Sequence, residues 1–71
     1  MSALIDARGL SCPEPAMNAR KAMLAAGGGT IQILLDSVAS RENVARAAAH
    51  LGWQAAVKDL PGGEFRMTLT K

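Results

Sequence analysis

From Thr30 to Asp36 the side chains Ile31, Ile33 and Leu35 alternate with Gln32 and Asp36, with Leu34 on the second face, which is the two-residue period of a strand. On both sides that period gives way to a helical one, all within 71 residues. A chain this short supports one core and removes only about 60% of its unfolded surface from water. Strands and helices must therefore share a single contact layer. Apolar residues make up 49% of the chain, but many are alanine and the only aromatics are Trp53 and Phe65. A thin aliphatic core, closed by alanine contacts between helix and sheet, is expected.

Ahead of the central strand, Leu4-Ile5-Asp6-Ala7 is a short strand candidate, and Arg8-Gly9-Leu10-Ser11 a turn in which Gly9 permits a sharp bend. From Glu14 to Ala26 the spacing is helical, with Ala16, Ala19, Met23 and Ala26 on one side and Met17 and Leu24 widening the stripe. Asn18 and Lys21 fall outside it. Arg20 projects into the apolar arc, where it must snorkel or meet an anion. Gly27-Gly28-Gly29 ends the helix, because glycine takes the left-handed C-cap conformation without a Cβ penalty.

After the central strand, Ser40 reads as an N-cap with Glu42 complementing the dipole of the first turn, and the helix runs to His50 or Leu51 before Gly52. Val44, Ala47, Ala48 and Leu51 form its buried stripe; Arg41, Arg46 and His50 lie off it, so His50 reads as a surface residue. Trp53 to Leu60 is a strand, Pro61-Gly62-Gly63 a turn, and Glu64 to Thr70 a last strand pairing antiparallel with the one before it.

The order strand, helix, strand, helix, strand, strand predicts an α+β fold, a two-layer sandwich of βαβαββ order with a four-stranded mixed sheet. Two helices do not cover both faces of such a sheet, so both are expected on one face. An apolar patch left on the other face, around Leu34 or Trp53, would be a partner surface or a weak homo-oligomer contact.

The chemistry concentrates at Cys12-Pro13-Glu14-Pro15, where the only cysteine of the chain stands at a helix start. The first N–H groups of a helix lack intrahelical acceptors and carry partial positive charge, which stabilises a thiolate. Proline fits the first turn because its missing N–H would be unpaired anyway. Arg8 would favour the thiolate, while Asp6 and Glu14 would oppose it. An inert buried cysteine is the bland alternative, and the flanking prolines argue against burial.

Other function classes find little footing. One cysteine forms no internal disulfide, and the sequence opens with Met1-Ser2-Ala3 rather than a basic region followed by an apolar stretch and a cleavage site, so a reducing cytoplasm is expected. No apolar run nears the roughly 20 residues of a membrane span. One Cys, one His and no clustered carboxylates leave a metal almost no ligands. A formal charge of +2 with scattered Lys and Arg argues against nucleic-acid binding, as do only two aromatics for base stacking.

The run Ile5-Asp6-Ala7-Arg8-Gly9-Leu10-Ser11-Cys12-Pro13-Glu14-Pro15 resembles the signature of the TusA/SirA-type sulfur-carrier family, and the likeness continues through Ala19-Arg20-Lys21-Ala22 to the closing hairpin. The resemblance implies a single carrier domain over residues 1–71 with the βαβαββ fold. It also implies that Cys12 accepts sulfane sulfur as a persulfide from a cysteine desulfurase or other persulfide donor and passes it to an acceptor protein, with no bound cofactor. By motif position Gly9, Pro13 and Pro15 support the site, and Arg8, Arg20 and Lys21 are candidates for contact with the thiolate or a partner. The stretch Ala39-Ser40-Arg41-Glu42-Asn43-Val44 looks more like the YedF-type branch, associated with selenium metabolism. Asp36-Ser37-Val38 stands where the tRNA-thiolation carrier has an acidic Asp-Asp-Pro run. Against the relay stands an interaction module in which Cys12 is a redox sensor or merely structural.

Overall fold

The computed structural model describes residues 2–71; Met1, the first residue of the expected domain, lies outside them. Six elements follow one another as β1 (Ser2–Asp6), α1 (Glu14–Ala26), β2 (Thr30–Leu35), α2 (Val38–His50), β3 (Gln54–Leu60) and β4 (Glu64–Thr70). The sheet order is β1-β2-β4-β3, with β1 parallel to β2 and the other pairs antiparallel. This is the expected mixed sheet, with β2 in its interior.

One face of the sheet is dry. Ile31, Ile33 and Leu35 of β2 are buried, and Ile33 and Ile31 face Met67 and Leu69 of β4 in register. Ala19 and Met23 of α1 and Val44 and Ala48 of α2 complete the core on that face. The alanines let both helix backbones come close to the sheet, and each fully buried aliphatic side chain contributes about 1.5–3 kcal/mol.

The helix ends follow from the glycines. Gly27, at φ +73°, donates its N–H to the Met23 carbonyl at 2.9 Å and closes α1. At the end of α2, Gly52 (φ +80°) and Trp53 donate to the carbonyls of Ala49 and Ala48 at 3.1 and 2.8 Å, a Schellman arrangement that turns the chain toward β3.

The N-cap of α2 is Ser37, not Ser40: Ser37 has extended backbone angles and its Oγ accepts the Ser40 N–H at 3.1 Å. Ser40 sits one turn inside, buried, with its hydroxyl bonded to that of Ser37 at 2.9 Å, and no acidic residue occupies the first turn. Met17 and Leu24 do not widen the buried stripe of α1; both are about three-fifths exposed, because the contact face of this helix is Pro15, Ala19 and Met23. Trp53 is not on an open face: it precedes β3 and is buried in the core. Leu34 is half-buried on the uncovered face, but Asp6 and Arg66 flank it in register and interrupt the apolar patch expected there.

Candidate functional site

The segment between β1 and α1 is held at three points. The Ala7 N–H donates to the Leu34 carbonyl at 3.0 Å, prolonging the β1–β2 ladder, and Ala7 itself is buried. Gly9 then takes φ +78°, a left-handed conformation that an L side chain resists, and its N–H donates to the Asp36 carboxylate at 2.7 Å. Finally the Glu14 N–H donates to the Ser11 carbonyl at 2.8 Å and the Met17 N–H to the Pro13 carbonyl at 3.0 Å, which begins α1. Pro13 occupies the N-cap position, no side chain caps the helix, and Pro15 is buried in the first turn. The Cys12–Pro13 peptide is cis.

Cys12 is exposed at the start of this helix. It lines a groove of about 500 Å³ whose other walls are Pro13, Ala16 and Arg20 on one side and Asn43, Arg46, Ala47, His50 and Leu51 on the other. Asn43 reaches across from α2 and its Nδ2 donates to Cys12 Sγ at 2.7 Å. Arg46, one turn further along α2, donates from Nη1 to Asn43 Oδ1 at 3.2 Å. A guanidinium has no acceptor, so this contact fixes the amide with its oxygen toward Arg46 and its nitrogen toward the sulfur. The groove thus combines an apolar floor with Arg20, Arg46 and His50, and no carboxylate lines it.

The other expected site residues are distributed around this groove. Arg20 is exposed on α1 and lines it; the apolar arc did not bury its head. Lys21 lies beside it in a shallow depression with Met17 and Leu24. Arg8 does not line the groove. Its guanidinium donates to Asp6 Oδ1 and Oδ2 at 2.9 and 2.8 Å and to Glu64 Oε1 at 3.3 Å. These hydrogen bonds hold the Asp6 carboxyl down to about 2, well below the usual carboxylate range, and push the Arg8 guanidinium above its ordinary value. Among the described residues these are the ion pairs of the chain.

Three lining residues, Asn43, Arg46 and His50, were not singled out as site residues from the sequence. They stand at intervals of three and four along α2, one edge of the helix next to its buried stripe. That spacing is the available signal, and it acquires meaning only when α1 is seen to present Cys12 along the same edge. Among the described residues no three His, Cys, Asp or Glu side chains are grouped to hold a metal ion, and no helix is long and apolar enough to cross a membrane.

The sequence profile of the family described as sulfurtransferase TusA matches residues 3–71. The crystal structure of a SirA-like protein from Desulfitobacterium hafniense superposes with a TM-score of 0.91 at 33% identity, covering 96% of this chain and 95% of that one. A search of curated proteins found no match.

Proposed function

This chain belongs to the sulfurtransferase TusA family, whose members carry sulfur between donors and acceptors in a relay, and on that premise we propose that Cys12 is the atom-carrying residue, loaded as a persulfide and unloaded to an acceptor protein. The observation that carries the reading is the placement of the lone thiol: exposed, at the uncapped start of α1, on a groove open to a partner. Substrate sulfur is presented on another protein or a small persulfide, and an exposed thiol meets it without a closed pocket.

Loading begins when the Cys12 thiolate attacks the outer sulfur of a donor persulfide. A bond forms between Cys12 Sγ and that sulfur, the donor's S–S bond breaks, and the donor departs as a thiolate. The proton of the outer sulfur travels with it, and no net oxidation occurs. Unloading is the same exchange with Cys12 as leaving group, when an acceptor thiolate attacks the outer sulfur. A chain with one cysteine has no second thiol to resolve the persulfide into an internal disulfide.

In this reading the chain acts as one carrier domain, Gly9, Pro13 and Pro15 hold the approach to the helix, and Arg20 with Lys21 meets the docking partner. A cysteine desulfurase is the proposed donor, and a cytoplasmic setting, where thiols stay reduced, suits a free Cys12. The role of Arg8 is structural: it braces Asp6 and Glu64 beside the loop. The test is to supply a desulfurase with radiolabelled cysteine and follow label into a protein or small-molecule acceptor thiol. Alkylating Cys12 beforehand is expected to abolish the passage that depends on this chain. Passage undiminished by alkylation would refute the proposal.

A further inference from the structure

We infer that Asn43 is a positioning residue for Cys12, and that its amide, oriented by Arg46, sets how readily the sulfur is released; this rests on the relay reading above. Two contacts run in series: Arg46 Nη1 donates to Asn43 Oδ1 at 3.2 Å and Asn43 Nδ2 donates to Cys12 Sγ at 2.7 Å. A hydrogen bond to an ionised acceptor is stronger than one to a neutral acceptor. Sγ bears the negative charge in only one of the two states of the relay: it is anionic as the free thiolate, whereas in the persulfide it is a neutral sulfur bonded to the outer sulfur, the charge having left with the donor. The amide therefore stabilises the unloaded state over the loaded one. It makes Cys12 a better leaving group during unloading, since exchange is faster from a more stable departing thiolate, and by the same contact it holds the anionic sulfur for attack before loading.

The placement agrees with this role. Asn43 is half-buried on α2 while Cys12 is exposed at the start of α1, so the contact ties the nucleophile to the second helix. The charged or titratable groups that line the groove with them are Arg20 on α1 and Arg46 and His50 on α2, and Glu14 opens α1. All of these are retained when Asn43 alone is changed, so its contribution is separable from theirs.

The test is the pH profile of iodoacetamide alkylation of Cys12 in the full chain, native against Asn43→Ala and the near-isosteric Asn43→Asp, with circular dichroism to confirm folding. Asn43→Ala is expected to slow alkylation at neutral pH by about three- to tenfold, with the gap closing at alkaline pH. Asn43→Asp, which sets an anion beside the sulfur, is expected to slow it further, and it carries the test if the alanine variant does not fold. Native-like profiles in the folded variants would overturn the inference. The profile needs no sulfur donor, so a native chain that fails to load sulfur would defeat the relay reading and leave this result standing.

Discussion

The backbone N–H of Gly9 donates to the carboxylate of Asp36 at 2.7 Å, tying the loop that carries Cys12 to the end of β2. The bond spans 27 positions in sequence and joins the two segments that lead into α1 and α2. It anchors a loop that is exposed at Arg8, Gly9, Ser11 and Cys12 and packs Leu10 against the core. Asp36→Ala is expected to cost about 1 kcal/mol, a drop of some 4–8 °C in Tm for a domain this size. Amide exchange at Gly9 should accelerate well beyond the global change. Unaltered exchange at Gly9 would mean the bond does not hold the loop.

Gly9 itself tests the backbone. A Cβ there meets nothing within 4 Å, so space does not forbid it; φ +78° does. Gly9→Ala is expected to destabilise by about 1 kcal/mol through the left-handed conformation alone. Urea unfolding of the two chains checks this, and equal midpoints would contradict it.

The Arg8–Asp6 pair makes a pH prediction. The folded Asp6 carboxyl titrates at about 2, against an ordinary 3.8, with the Arg8 hydrogen bond as the first cause. A depressed carboxyl contributes stability that is present above its ordinary value and is lost as pH falls from 3.8 through about 2. Both side chains are about half exposed, so water and salt screen the pair. A carbon-detected NMR titration should place Asp6 well below the ordinary carboxylate value of 3.8, and Arg8→Gln should return it toward that value. An Asp6 that titrates normally in the native chain would refute the pairing.

Helix α1 offers a matched comparison of two methionines. Met23 is 1% exposed and Met17 61%. Met23→Ala should cost about 2–5 kcal/mol, enough to leave so small a domain near the edge of unfolding. Met17→Ala, and Leu24→Ala beside it, should fall within about 0.5 kcal/mol of native. Comparable losses at Met17 and Met23 would restore the wider buried stripe that the sequence spacing implied.

The contrast between those methionines shows what the sequence carried and what it did not. Period-two alternation in Thr30–Leu35 and Glu64–Thr70, and glycine after each helix, are local signals, and local physics decided them. The width of a buried face is a tertiary quantity. Pro15, Ala19 and Met23 stand one turn apart on the face that α1 turns inward, and Met17, about 200° around the helix from Ala19, falls on the opposite side. Ser40 was expected to cap α2, but the residue with extended backbone angles is Ser37, three positions earlier, and Ser40 is buried inside the first turn. Trp53 followed the same logic, since the Schellman turn tucks it under the helix before β3 starts.

The site was half legible for a related reason. Cys12 between glycine turn and helix is a contiguous motif, and the structure sets it exposed at the head of α1 as the motif implied. Asn43 lies 31 positions away and meets the sulfur only through the packing of α1 on α2. Arg8, adjacent in sequence, is drawn off by two carboxylates instead.

Whether Cys12 carries sulfur is measured directly by intact-protein mass. The native chain and Cys12→Ser are incubated with a cysteine desulfurase and free cysteine, weighed, then treated with a reductant and weighed again. The expected result is the mass of one added sulfur atom on the native chain, removed by the reductant and absent from the variant. Added sulfur on both chains, or on neither with several unrelated desulfurases, would contradict the account.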